Sequence, residues 1–281
     1  MTSQPLTAPK APVIHETAIV APGATIADNV SIGPYCIVGD QVSLGLGVTL
    51  EAHVVIGGRT TIGAQCHIFP FASIGQAPQD LKYDGEPSEL IIGDNNVIRE
   101  HVTMNSGTTG GGMVTRVGHN GLFMVGSHVA HDCIIGDHVI MANNATLGGH
   151  VTLGDYAILG GLSAVHQFVR IGRHAMVGGM SGVEQDVIPF GLVMGDRAAL
   201  SGLNIVGLKR RNFSREDIHG LRTAYRMVFG QDGTMAERLT EVARQFAENS
   251  VVMDLVNFIQ ADNSRPVCQP KSAAAHNRDA K

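Results

Sequence analysis

The chain has no tryptophan, and aromatic residues fill only 5% of its 281 positions. Charged residues are scarce as well, at 16% against a usual ~25%. A core must therefore be assembled from small aliphatic side chains instead of rings. Cysteine occurs four times, at 36, 66, 133 and 268, with no CxxC pair, which favours reduced, buried thiols over a disulfide framework. No stretch reaches the ~18 apolar residues of a membrane span. The opening MTSQPLTAPKAPV lacks the apolar run of a signal peptide, so a cytoplasmic protein is expected. A basic excess is missing too: the net charge of -5 argues against nucleic acid as a partner.

Glycine is plentiful, at 35 residues, and hydrophobic residues reach 44%, enough to offset the entropy of ordering. These residues keep a six-residue period. Ile14, Val20, Ile26, Ile32, Val38, Leu44, Leu50, Ile56, Ile62, Ile68 and Ile74 are evenly spaced, and the position four further on is small, as at Ala18, Cys36, Val48 and Cys66. The period returns at Ile92, Ile98 and Met104, shifts by one residue, and runs from Val117 through Val129, Leu147 and Val165 to Val183. Neither a helix nor plain strand alternation repeats in this way. A short strand and a corner every six residues does, and three sides close an 18-residue coil whose copies stack about 4.8 Å apart. Glycine follows the aliphatic residue at 33, 39, 45, 57, 63 and 75, which suits unusual φ/ψ or close packing. Cys36, Cys66 and Cys133 fall on the small inward position and read as core filler.

The expected fold is mainly β: a parallel β-helix of hexapeptide repeats over 13–189, preceded by an extension at 1–12. Two inserts, 76–90 and 106–115, interrupt the repeat as loops, and Gly110–Gly112 is expected to be flexible. Beyond Pro189 the period stops and the charge reverses. Residues 1–188 hold 7 Lys/Arg and 15 Asp/Glu, whereas 189–281 hold 13 and 10. Capping boxes at Ser214/Asp217 and Thr234/Glu237 predict helices over 215–229 and about 235–248, with a third over 250–262. This makes 190–262 a helical C-terminal domain, followed by a tail at 263–281 expected to be disordered.

Residues 18 apart stack, so the coil arithmetic says which polar residues meet. His131, Gly149 and Gln167 form one column; Asp132, His150 and Phe168 the next; Ala130, Gly148 and His166 the one beside it. Three histidines and a carboxylate thus share one edge, outside the inward positions. Histidine is the commonest general base, Asp132 can orient His131, and the N–H of Gly149 can serve an oxyanion. His128 lies on the same strand, whereas His15, His53, His67 and His276 have no such company. Three histidines also permit zinc, so a zinc-dependent carbonic anhydrase-like β-helix enzyme is the rival reading. A non-catalytic scaffold is a third.

The segments HVAHDCIIGDHVIMANNATLGGHV, GGLSAVHQF and VGGMSGVEQDV, with QDLKYDGEP at 79–87 and NIVGLKRRNFSRE at 204–216, resemble the UDP-N-acetylglucosamine O-acyltransferases of lipid A biosynthesis. The resemblance runs from about 13 to 262. It implies a left-handed coil and a homotrimer with active sites between subunits. The reaction it implies moves an R-3-hydroxyacyl chain from acyl carrier protein to the 3-OH of UDP-N-acetylglucosamine, the first step of lipid A synthesis. No metal or cofactor is implied, the carrier thioester being a substrate. By the resemblance His131 is the general base, Asp132 orients it, and Gly149 holds the oxyanion. Asp80, Lys82, His128, His150, His166 and Gln167 match substrate contacts. Asn204, Arg210 and Arg211 match residues at the uracil and phosphate end, and Gly179 matches the position that sets acyl length. The seven Lys/Arg against two Asp/Glu in 197–226 suit an acidic carrier protein. Two departures stand out: Asn105-Ser106 where many relatives have His-Arg, and Asn212 in place of a glycine. Whether the acceptor carries a hydroxyl or an amine at C3 stays open at this level.

Overall fold

The computed structural model describes residues 10–262 and 264–271. Short strands, most of two residues, recur mostly every six positions from Val13–Ile14 to Gly182–Val183 and stack in parallel; with two later strands they make sheets of 11, 9 and 8 strands among the described residues. The result is a left-handed parallel β-helix. The first sheet begins at Val13–Ile14, the second at Ile19–Val20 and the third at Thr25–Ile26. Register confirms the 18-residue coil, with Val13 beside Ser31 and Ile140 beside Ile158.

Inward positions carry the core. From Ile32 to Ile74 and from Ile92 to Val183 the periodic aliphatic residues are buried, together with Cys36, Cys66 and Cys133. At the open first coil Ile14 is exposed and Val20 and Ile26 are half-buried, because no earlier coil covers them. Three residues past most inward aliphatics the chain turns through the left-handed region. φ is 59° at Tyr35, 61° at His53, 59° at Asp132, 61° at His150 and 66° at Phe168. The glycine that follows the aliphatic residue is not this corner: of the six, only Gly75 has positive φ. Gly33 and Gly45 serve close packing instead, since a Cβ there would lie 2.9 and 2.8 Å from the backbone of the next coil.

Both inserts leave the same edge of the prism. The strands Ser73–Gln76 and Thr103–Asn105 belong to the second sheet, and Glu89–Ile92 and Val114–Val117 to the third. The glycine run in the second insert is a 3-10 turn, Thr109–Gly111, and not the slack loop expected.

The coil does not stop at Pro189. Strand Gly191–Met194 pairs in parallel with Met176–Val177 and then forms a hairpin with Ala199–Leu203, so the first sheet runs past the expected boundary. Four helices follow: α1 (Ile205–Arg210), α2 (Arg215–Val228), α3 (Met235–Gln245) and α4 (Ser250–Ala261). The six-residue α1 is not among the three helices expected. Thr234 and Glu237 make the full reciprocal capping box, whereas at α2 Ser214 accepts the Asp217 N–H and bonds its carboxylate instead. The expectation of a disordered tail from 263 is corrected for 264–271. Val267 and Cys268 are buried, Asp186 N–H donates to the Pro266 carbonyl, and Leu200 N–H to that of Gln269. Two apolar residues with β-bridge partners outweigh the polar flanks. Residues 1–9, 263 and 272–281, with the rest of the expected extension and tail, lie outside the described residues.

Stacking of corners also joins the coil to its helices. His138, Tyr156, His174 and Phe190 form a ladder with ring centroids 4.5, 4.8 and 5.6 Å apart, and Phe213 meets His174 edge-on at 5.0 Å. Burial, then the nearby Arg211 and Arg173, push the His174 pKa down to about 4, with Asp155 opposing. Below its ordinary pKa of about 6.5 the unfolded chain therefore takes up a proton that the folded chain refuses. Stability should fall as pH drops from about 6.5 towards 4, by at most about 3 kcal/mol. His174→Phe should flatten that part of a denaturation midpoint-versus-pH curve, and an unchanged slope would contradict the assignment.

Candidate active site

The edge between the second and third sheets carries the densest chemistry. His131 Nδ1 lies 2.8 Å from Asp132 Oδ2. The carboxylate is fully buried and also accepts from the Thr108 N–H at 2.8 Å and the Thr108 hydroxyl at 2.6 Å. A carboxylate is an acceptor only, so opposite it Nδ1 carries the hydrogen and the lone pair falls on Nε2. His150, one coil on, meets the His131 ring edge-on with centroids 5.1 Å apart and reaches Asp132 Oδ2 at 3.8 Å. It also stacks on Phe168 at 4.3 Å. Burial lowers the His150 pKa, Asp132 and Asp80 oppose that, and His131 adds to it. His128 binds the Thr103 hydroxyl at 2.7 Å, and burial, helped by His131, lowers its pKa as well. Burial thus favours the neutral form of both rings.

Gly149 sits against the His131 ring. A Cβ there would overlap Cε1 and Nε2. Its N–H has no acceptor among the described residues. Asp80 lies on the first insert, close enough for its charge to act on His150, and accepts the Lys82 backbone N–H at 3.0 Å. Lys82 itself is exposed. His166 and Gln167 follow one coil later on the same edge, both exposed, with the His166 ring donating to the Gln167 carbonyl at 3.0 Å.

The remaining expected residues occupy the other two edges of this chain. Gly179 stacks over Gly161 at the edge between the first and second sheets. Asn204 caps α1 by accepting the Gly207 N–H, and donates to the His174 carbonyl at 3.0 Å. Arg211 lies over Tyr156, 5.1 Å from the ring centroid, at the edge between the third and first sheets, and Arg210 next to it is exposed. Of the two departures, Asn212 takes φ of 59°, a region asparagine reaches with little strain. Asn105 is buried and donates to the Gln76 and Ala77 carbonyls, while Ser106 bonds Ser88 at 2.9 Å. Together they stitch the roots of the two inserts. His15 and His67 bond Thr17 and Glu51, His53 stacks between Tyr35 and Phe71, and His276 is outside the described residues.

Sequence reasoning misses Thr108, Gly111 and Thr115. Thr115 accepts the Asp132 N–H at 2.8 Å, and a Cβ on Gly111 would overlap the Asp132 carboxylate. The signal is there to be found: Ile74, Met104 and Val129 share one column, so both inserts must emerge where His131 turns.

Residues 186–268 match the family described as Udp N-acetylglucosamine O-acyltransferase, domain 2. The acyl-[acyl-carrier-protein]–UDP-N-acetylglucosamine O-acyltransferase of Caulobacter vibrioides is 55% identical over 258 residues, covering 92% of this chain and 98% of that protein. The chain belongs to this family of acyltransferases. The Azorhizobium caulinodans member is 52% identical over 267 residues, 95% and 98% of the two chains. Among solved structures, LpxA from Acinetobacter baumannii superposes with a TM-score of 0.88 at 42% identity, over 91% of this chain and 99% of that one. The Francisella novicida UDP-N-acetylglucosamine acyltransferase gives 0.90 at 35%, over 94% and 96%. The carbonic anhydrase alternative finds no support in these relatives. His131, Asp132 and His150 lie close enough together to hold a metal ion, and His166 is not part of that trio. For an acyltransferase site the crowding at Gly149 is decisive. Gly149→Ala should displace the His131 ring and lower kcat by about a hundredfold, with the thermal midpoint nearly unchanged; wild-type turnover would show that the ring's place is immaterial.

Proposed function

We propose that this acyltransferase moves an R-3-hydroxyacyl group from the thioester of acyl carrier protein to the 3-hydroxyl of UDP-N-acetylglucosamine, the first step of lipid A synthesis. The observation that carries the reading is the buried Asp132 carboxylate, which holds Nδ1 of His131 and leaves Nε2 as the base. A sugar hydroxyl is a poor nucleophile at neutral pH, so attack on a thioester needs a base and a polarised carbonyl. Nε2 takes the hydroxyl proton as the sugar oxygen bonds to the acyl carbon. The oxyanion so formed is met by the Gly149 N–H. Collapse breaks the carbon–sulfur bond, and the imidazolium returns its proton to the leaving thiolate. His128 and His150, whose neutral forms burial favours, can donate to the substrate without repelling the imidazolium. No cofactor or metal takes part in these steps. His131→Ala should lower turnover at least about a hundredfold with the oligomer intact, and substantial residual turnover would overturn the role. The same assay with a chelator tests the metal-free route, since lost activity would speak for zinc.

The protein works as a cytoplasmic homotrimer in this reading. The dyad, Gly179 and the Asn204–Arg211 segment occupy three different edges of one chain. A threefold assembly would set one chain's edge against another's and complete the site between subunits. Carrier protein is acidic, and Arg222 and Arg226 line a cleft of about 440 Å³ with His219 and Tyr225, a suitable place for charge-steered docking.

Acyl length would be read at Gly179. Exposed Leu162 and Met180 flank that edge, and a Cβ on Gly179 would meet only Gly161, at 3.2 Å. Glycine leaves room for a longer chain. Gly179→Met should shift preference to acyl chains shorter by several carbons, measured by product mass spectrometry with a panel of carrier thioesters. The panel also includes an acceptor with an amine at C3. An unchanged length profile would refute the ruler.

A further inference from the structure

The Asp132 carboxylate is gripped from one side by a segment that the repeat does not supply. The insert 106–115 leaves the coil before the one that bears His131, and its first residues fold back over the edge. Thr108 is buried; its N–H meets Asp132 Oδ1 at 2.8 Å and its hydroxyl Oδ2 at 2.6 Å. Oδ2 is the oxygen that holds His131 Nδ1. Thr108 is itself fixed by the 3-10 turn, because its carbonyl accepts the N–H groups of Gly111 at 3.1 Å and Met113 at 2.9 Å. That turn packs so closely that a methyl on Gly111 would overlap the carboxylate. Thr109 N–H ties the turn to Glu86 of the first insert at 3.1 Å.

We propose that Thr108, held by the glycine-rich turn after it, is a positioning residue that fixes the Asp132 carboxylate against His131. The inference rests on His131 being the base, and it assigns a purpose to residues 108–112, the part of the insert that joins no sheet and lies outside the aliphatic core. Two donors from one residue on the two carboxylate oxygens set the rotation of the carboxylate plane, and with it the direction of the Nδ1 hydrogen bond. The ring then presents Nε2 in one orientation. Threonine suits the position because its hydroxyl and its N–H are both spent on the same carboxylate.

Two variants perturb the carboxylate in opposite ways. Thr108→Val keeps the shape and the N–H but removes the hydroxyl donor. The carboxylate stays on the ring with one hydrogen bond fewer, so it stabilises the imidazolium more. Gly111→Ala pushes the carboxylate away, so the imidazolium loses its partner. The other titratable groups near the pair are His128 on the strand before it, the buried Cys133 thiol beside Asp132, His150 on the next coil, and Asp80 from the first insert, with Glu86 tied to the turn through the Thr109 N–H. They are present in both variants.

Steady-state kinetics of the full-length enzyme against pH decide the matter. Thr108→Val should lower kcat about tenfold with little change in KM, and move the acid limb of the kcat profile to higher pH. Gly111→Ala should also lower kcat but move that limb to lower pH. Thr108→Ser, which keeps the hydroxyl, should stay within about threefold of wild type. The proposal is overturned if Thr108→Val matches wild type. It is equally overturned if Thr108→Ser is as impaired as Thr108→Val with the limb unmoved, the mark of a merely structural residue. If Thr108→Val does not fold, the comparison of Thr108→Ser with Gly111→Ala carries the same decision. Full activity of His131→Ala would instead remove the base itself, a failure distinct from either.

Discussion

Nearly every six-residue side buries one aliphatic side chain, most sides then turn through a left-handed corner three residues later, and the rest of the molecule depends on that pairing. The inward residue fixes the register between coils, because a slip by one position would turn the apolar column outward. Once register is fixed, the outward residues at corners have no freedom of neighbour. His53 must meet Tyr35 and Phe71, and His174 must meet Tyr156 and Phe190. Side chains separated by 18 positions become stacked rungs about 5 Å apart. The edge with His131 and Asp132 is one such column, in which His150 meets His131 edge-on and stacks on Phe168.

This is why so much is legible in the residues alone. The spacing places His131, Gly149 and Gln167 on one edge and Asp132 beneath His150, and the coil brings them there. The same arithmetic separates Gly179 from the dyad, although the resemblance groups them as one site. Three edges of a rigid prism cannot approach one another within a chain, so a site that needs all three must be completed from outside it. The hand of the coil is beyond spacing, since left and right coils share one repeat. It enters through the family.

What escapes the sequence lies where local rules meet long-range partners. The segment Arg265-Pro266-Val267-Cys268 is short and flanked by polar residues, and nothing local marks it as ordered. Its order comes from Asp186 and Leu200, about 70 to 80 positions away in the chain. Helix α1 has six residues, too few to show an apolar period, and depends on Asn204 and the ladder below it. The glycines after each aliphatic residue admit two roles, turning and packing, and packing takes the larger share. The corner itself falls to Asn, Asp, His and even Phe and Leu, because stacking with the next rung offsets the strain of positive φ at a residue with a side chain.

The pair His131–Asp132 shows how inserts refit a plain corner. A plain corner would leave Asp132 at the surface, as Tyr35, Phe71 and Leu162 are at theirs. Here an insert on the preceding coil covers the carboxylate and supplies fixed donors from Thr108 and an anchor for the backbone at Thr115. A buried carboxylate without such partners would be protonated or displaced. With them it keeps hydrogen-bond partners on both oxygens, and His131 Nδ1 shares Oδ2 with the Thr108 hydroxyl. Two glycines then make the fit possible: Gly111 where the turn meets the carboxylate, and Gly149 where the next coil meets the ring. A side chain at either position would move one member of the pair. The specificity of the site for its own geometry therefore resides as much in these two absent side chains as in the histidine and aspartate they surround.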